Sequence, residues 1–252
     1  MPDPATLAIA IGAGMLGGAM NALAGGGTFA TLPALIAMGL PANIANASSN
    51  VALLPGAATS AWSFRGELAP IAGVAIAPLT ATTFAGGLIG SILLVVTPAH
   101  AFDVIIPWLL LLATLAIVLG RRAADALRAH VTIGPRSLYA AQGLLGLYGG
   151  YFGGGVGMMT TALYGLLAGA SPRAMFAPRT LMLATANAAA AIVFGIAGLV
   201  RWSLCLPMLI GGIVGGLIGA RIGKRLPASV VRAWTILVTT ATTAVFFWRA
   251  YG

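Results

Sequence analysis

Acidic side chains are almost missing from this sequence: four among 252 residues, Asp3, Glu67, Asp103 and Asp125. Charge of both signs makes up only 7% of the chain, against about 25% in a soluble domain. Such a chain cannot cover a water-facing surface. A single cysteine, Cys205, excludes a disulfide framework and a cysteine metal cluster. The two histidines, His100 and His130, both fall in connections, so neither a nucleophile–base pair nor a metal set can be assembled. An enzyme is not expected, and no cofactor is implied.

What the chain does have is apolar. Hydrophobic residues make up 60% of it, with a mean hydropathy of +1.01. A spanning helix needs ~20 apolar residues, and such runs recur from end to end. The expected class is an all-α polytopic membrane protein. Glycine supplies 35 residues and proline 14, and glycine at roughly twice its usual share points to tightly packed, interrupted helices. The net charge of +9 sits in short connections, where Lys and Arg act as orientation signals. It is not a nucleic-acid footprint. No basic region precedes the first apolar run, so a cleaved signal peptide is not expected.

An internal repeat organises the sequence. Gly86-Gly87-Leu88-Ile89-Gly90 recurs 129 residues on as Gly215-Gly216-Leu217-Ile218-Gly219, and Pro98-Ala99 recurs at the same offset as Pro227-Ala228. The triplet Gly25-Gly26-Gly27 returns as Gly153-Gly154-Gly155, and Gly39-Leu40-Pro41 has its counterpart in Gly169-Ala170-Ser171-Pro172. The chain divides into a first membrane repeat at 1–125, a basic cytoplasmic linker at 126–137 and a second membrane repeat at 138–252. Such duplication is common among secondary transporters.

In the first half, apolar runs lie near 5–24, 28–40, 43–64, 69–97 and 104–120. The second half repeats them near 138–152, 156–168, 178–200, 203–220 and 231–248. If each glycine-broken unit were one crossing, seven basic residues would lie on one side and six on the other. If each unit is a re-entrant hairpin, three crossings per half remain and the halves are inverted. Eleven of the 13 Lys and Arg then share one side, among them Arg65, Arg121, Arg136, Arg173, Arg221, Lys224 and Arg232, and only Arg201 and Arg249 lie opposite. The positive-inside rule prefers this arrangement. The expected fold is two inverted repeats, each a glycine-broken re-entrant helical hairpin plus three transmembrane helices. Residues 5–24 are nevertheless long enough to span alone.

No run carries Asp or Glu at its centre, which argues against a cation substrate and a carboxylate proton relay. The glycine triplets are the sharper signal. Irregular backbone survives at membrane depth only where protein or a water-lined cavity covers it. Half-helices starting near Gly27 and Gly155 would aim free N–H groups and a partial positive charge at that cavity, which suits an anion. Asn21, Thr28, Ser49, Asn50 and Asn187 could line it, together with Gly157, and Arg179 at the start of a span could meet the anion. The four-residue glycine spacing of Gly211, Gly215, Gly219 and Gly223 reads as helix packing. Gly12-Ala13-Gly14-Met15-Leu16-Gly17 matches a dinucleotide fingerprint as text but lacks its βαβ context.

These features resemble the TauE/SafE family, the sulfite and organosulfur anion exporter-like permeases. The resemblance rests on Asn21 to Thr28, Leu32-Pro33-Ala34-Leu35, Gly39-Leu40-Pro41 and Ala47-Ser48-Ser49-Asn50. In the second half it rests on Gly149 to Gly157, Arg179-Thr180 and Asn187. Three positions depart from the family pattern: Ser48-Ser49 where Ala-Thr is expected, and Arg179 where Lys is common. The resemblance implies a secondary transporter of small anions such as sulfite, sulfoacetate or related organosulfonates, in the bacterial inner membrane. A passive anion channel of the same architecture is the alternative. H+ and Na+ are the candidate coupling ions, a homodimer the candidate assembly, and the lipid bilayer the partner.

Overall fold

The computed structural model describes residues 2–128, 134–168, 175–223 and 225–252. His130, Arg173, Lys224 and the Gly169–Pro172 landmark lie outside the described residues, as do residues 129–133 of the linker. The helices are α1 Pro4–Ala24, α2 Thr28–Ala37, α3 Ala42–Ser63, α4 Ile76–Val96, α5 Ala99–Arg128, α6 Pro135–Tyr151, α7 Val156–Ala168, α8 Phe176–Ile196, α9 Trp202–Gly223 and α10 Ala228–Tyr251. Among the described residues the only other regular element is a 3₁₀ turn at Arg65–Glu67. The apolar run expected from 69 begins as a turn instead. Ile71 and Val74 exchange backbone hydrogen bonds around Ala72 and Gly73, both at positive φ, and the helix starts only at Ile76.

The repeated landmarks fall on corresponding elements. Each glycine triplet separates a longer helix from a short one, α1 from α2 and α6 from α7. Each Gly-Gly-Leu-Ile-Gly lies inside a long helix, α4 or α9, and each Pro-Ala starts the next, α5 or α10. Proline suits these starts because its missing N–H would be unpaired there anyway. At α1 the start is stronger still: Asp3 Oδ1 accepts Thr6 N–H at 2.7 Å, which holds its carboxyl below the usual carboxylate range.

The glycine spacing sets the packing. A Cβ on Gly211 or Gly215 would meet the carbonyl oxygen of Ile11 or Met15, and one on Gly219 would lie 2.7 Å from Ala19 Cα. Residue numbers rise together along α1 and α9, so the two helices run parallel in close backbone contact. Gly86 and Gly90 of α4 meet α6 backbone at Gly143 and Leu147, and Gly150 of α6 meets Gly87. That pair is parallel too. Thr83 and Gly87 also touch Met182 and Ala186, so α8 shares their direction. α3 opposes α8, its end at Phe64 stacked edge-on against Phe176 at 4.7 Å. α5 opposes α10, with Thr114 bonded to Thr243 and Trp108 to Tyr251.

These directions sort the charges. Arg65, Arg136, Arg221, Arg225 and Arg232 fall at one end of the bundle, where the C-terminal turns of α5 also place Arg121, Arg122 and Arg128 in the chain. Asp3, Asp103, Arg201 and Arg249 fall at the other. Among the described residues, six helices are long and apolar enough to cross a membrane: α1, α4, the Ala99–Leu119 part of α5, α8, α9 and most of α10. The outward faces carry exposed Ile9, Leu144, Ile196 and Leu237, side chains that lipid solvates and water does not. The protein is a multi-pass membrane protein. α1 lies beside α9 from Ile11–Gly211 to Leu23–Gly223, so the first limb of the first hairpin is as long as a span. α3 is 22 residues long but less apolar, and its Asn46, Ser48, Ser49 and Asn50 are all buried within the bundle.

Replacing Gly215 with Leu should therefore cost at least about 3 kcal/mol, because the obstructing atoms belong to the α1 backbone. Gly12→Ala, with open space around it, should be neutral or stabilising by about 0.5–1 kcal/mol. Thermal unfolding of the two detergent-purified variants checks the contrast.

Candidate functional site at the two helix breaks

α1 stops because Gly25 turns left-handed, at φ +82, and returns its N–H to Met20 and Asn21 carbonyls. Only glycine adopts this conformation without steric cost. Two residues on, Gly27 N–H donates to Asn21 Oδ1 at 2.7 Å. The amide that the sequence places at the end of α1 thus caps the start of α2, so this N–H is held by the protein itself. Thr31 Oγ1 donates to Gly27 O and shares a hydroxyl bond with Ser49, and Thr28 is buried beside them.

The second break is built differently. Gly153 and Gly155 both have positive φ, +74 and +80. Tyr148 OH reaches back to Gly154 O at 2.8 Å and to Leu109 O at 3.0 Å, so one phenolic proton is shared between the break and α5. From α3, Asn46 Nδ2 donates to Tyr151 O at 3.0 Å and Asn50 Nδ2 to Phe152 O at 3.5 Å. Gly153 lies directly against the Asn50 amide. Tyr148→Phe should take the hydroxyl donor from the buried Gly154 carbonyl and lower stability by about 1–3 kcal/mol, read as a fall in melting temperature.

The two breaks touch. A Cβ on Gly25 would lie 2.7 Å from Gly157 Cα, and one on Gly157 would lie 2.9 Å from Gly25 Cα. Gly155 abuts Ala113, with Phe29 of α2 just beyond, and Gly26 faces the Met158 methyl. Gly157 also stands 3.5 Å from Arg179 Cγ by the same measure.

Arg179, in the first turn of α8, is 8% exposed. Its guanidinium lies over the Phe176 ring at 4.4 Å, and one nitrogen donates to Ala22 O at 3.4 Å. Among the described residues it has no carboxylate partner. A buried cation with five donors and so little to hold them is costly. Next to it, Asn21, Ala22, Gly56, Ser60, Thr180 and neighbours line a cavity of about 10 Å³, which barely admits one water. Asn21 lines this cavity, and its Nδ2, a donor, has no partner among the described residues.

Asn21, Gly25, Gly26, Gly27, Thr28, Ser49, Gly157 and Arg179 therefore assemble at the first break. Asn50, Gly153, Gly154 and Gly155 assemble at the second. Asn187, 2% exposed, follows one helical turn after Leu183 on α8, whose Thr180 and Leu183 share the cavity with α3. Sequence reasoning left out Tyr148 and the cavity-lining Gly56 and Ser60. Tyr148 has no counterpart to signal it, since the matching position in the first half is Met20.

A family model described as "Sulfite exporter TauE/SafE" matches residues 10–246. The chain is 25% identical over 253 residues to the "Probable membrane transporter protein YfcA" of Escherichia coli K12, covering 100% of this chain and 93% of that one. It is 28% identical over 214 residues to a "Probable membrane transporter protein" of Haemophilus influenzae, covering 82% of this chain and 81% of the other. No solved structure matches it significantly.

Proposed function

Because the chain belongs to the TauE/SafE family of membrane transporters, we propose that it carries small anions across the bacterial inner membrane by alternating access. Sulfite, sulfoacetate and related organosulfonates are the substrate class. The protein is a transporter and not an enzyme. The observation that carries the anion reading is Arg179, a buried guanidinium without an acidic partner among the described residues, where both helix breaks meet. A guanidinium offers paired N–H groups that match two oxygens of an oxyanion. Asn21 Nδ2 adds a neutral donor, and the α2 N-terminus adds a partial positive charge.

The repeats at 1–125 and 138–252 are read as inverted about a shared centre. The opposite courses of α1 and α6, of α3 and α8, and of α4 and α9 support this. The positive-inside rule then sets the arginine-rich end in the cytoplasm. A site with room for about one water cannot pass an organosulfonate as it stands, so the hairpins must part to admit it, first toward one end and then the other. The closed cavity favours a carrier over an open channel.

Counterflow tests this. Proteoliposomes loaded with unlabelled sulfite should transiently concentrate labelled sulfite above its external level, and uptake should saturate. Linear, non-saturating flux without counterflow would mean a channel.

A further inference from the structure

Four buried amide atoms have no hydrogen-bond partner among the described residues, and their chemistry differs between the two breaks. At the first break, Asn21 uses its oxygen on Gly27 N–H and keeps a free donor, Nδ2. At the second, Asn46 and Asn50 use their Nδ2 on Tyr151 O and Phe152 O and keep free acceptors, Oδ1. Those bonds fix the amides, because turning either one over would set oxygen against carbonyl oxygen. Asn187 also keeps a free Oδ1. All three acceptor residues are 2% exposed or less.

Helix register brings the three residues to nearly one level of the bundle. Asn46 and Asn50 are one helical turn apart on a single face of α3. Leu53 and Leu183 line the same cavity from α3 and α8, and these helices run antiparallel. Asn187, one turn past Leu183, therefore comes level with Asn50, three residues before Leu53. Both stand beside the C-terminal end of α6, whose last carbonyls carry negative partial charge. Acceptors without donors in a dry interior are costly, and a cation relieves all of them at once.

The chemistry narrows the ion. Amide oxygens do not hold a proton at ordinary pH, so this is no proton site. The described carboxylates, Asp3, Glu67 and Asp103, and His100 all lie at or near helix ends, so the ligand shell is neutral. Divalent cations favour carboxylate-bearing shells of six or more oxygens. Neutral oxygens beside a broken helix suit a small monovalent ion.

We infer that the second break binds Na+ through the side-chain oxygens of Asn50 and Asn187, with Asn46 adjoining, while the first break takes the anion. The two halves have diverged into sites of opposite polarity. That this ion drives transport rests on the anion carrier proposed above; that it binds does not.

The purified full-length protein is melted in NaCl, KCl or choline chloride at equal ionic strength, each with and without sulfite. Na+ should raise the melting temperature saturably, more than K+ or choline, by mass action on the folded state. Asn50→Ala and Asn187→Ala should each raise the half-maximal NaCl concentration at least about tenfold. Asn187→Asp, which keeps an oxygen and adds charge, should bind Na+ at least as tightly as wild type. A wild type indifferent to Na+, or a Na+ response unchanged in both alanine variants, overturns the site. If sulfite still stabilises in that event, the anion reading stands without it. If Na+ stabilises and no anion does, the cation site stands and the anion reading falls.

Discussion

Replacing Arg179 with Gln should reduce anion transport by two or more orders of magnitude and leave the protein as stable as before, or more so. The two effects have one origin. The guanidinium is buried; among the described residues it has no carboxylate beside it, and its contacts are a 3.4 Å bond to Ala22 O and the Phe176 ring. Holding an unpaired cation there opposes folding, and exchanging it for a neutral side chain of similar length removes that opposition, by about 1–4 kcal/mol if buried ion pairs are a guide. The same exchange removes the one fixed positive charge from the site. Arg179→Lys keeps the charge but not the planar fork, so binding should weaken while transport persists. Sulfite-dependent melting and proteoliposome flux, measured on both variants, check the prediction. A variant that loses both stability and transport would mean that Arg179 is a structural anchor.

The second large effect belongs to Gly25. Gly25→Ala should abolish transport, whereas Gly39→Ala should leave most of it. Both glycines are left-handed, at φ +82 and +88, so alanine carries a similar backbone penalty at each, about 1–2 kcal/mol. They differ in what surrounds them. Nothing lies within 4 Å of a Cβ on Gly39, whereas one on Gly25 comes within 2.7 Å of Gly157 Cα. That neighbour is backbone and cannot rotate away. The added methyl forces the two breaks apart at the point where Arg179 and the cavity meet them. Flux per inserted protein, with membrane insertion measured in parallel, separates lost function from lost folding. Equal losses in the two variants would mean that only the φ penalty matters.

Much of the fold could be read in the residues themselves. The apolar runs became helices with ends shifted by up to eight residues, most at α5, which runs from Ala99 to Arg128 where 104–120 was expected, and the glycine triplets, the paired Gly-Gly-Leu-Ile-Gly segments and the Pro-Ala starts fell on corresponding elements. The exception was 69–75, where Pro70 and Gly73 favour a turn that the apolar composition hides. The four-residue spacing of Gly211, Gly215 and Gly219 announced close helix contact, though not that its partner would be α1.

The site was less legible. Asn21, Asn50 and Arg179 stood out as polar residues in apolar surroundings, but which atom of each is free depends on a bond made elsewhere. Asn21 turns its oxygen to Gly27, and Asn50 turns its nitrogen to Phe152, 102 residues away in the chain. Ser60 and Gly56 carried no signal, since a serine and a glycine in an apolar helix look like packing residues until a cavity opens beside them.

Composition and local pattern were enough to determine that this chain lives in a bilayer, that it is helical, that its glycine and proline landmarks recur at one offset, and where its helices break. These follow from short-range physics: apolar length against bilayer thickness, and glycine against helical backbone. Only the tertiary structure decided that the two breaks meet, that α1 is paired with α9 and α4 with α6, that Arg179 is buried without a counter-charge, and that the free amide atoms differ in kind between the two halves. Those are outcomes of long-range packing, in which each side chain's depth and partner are set by segments far away in the chain.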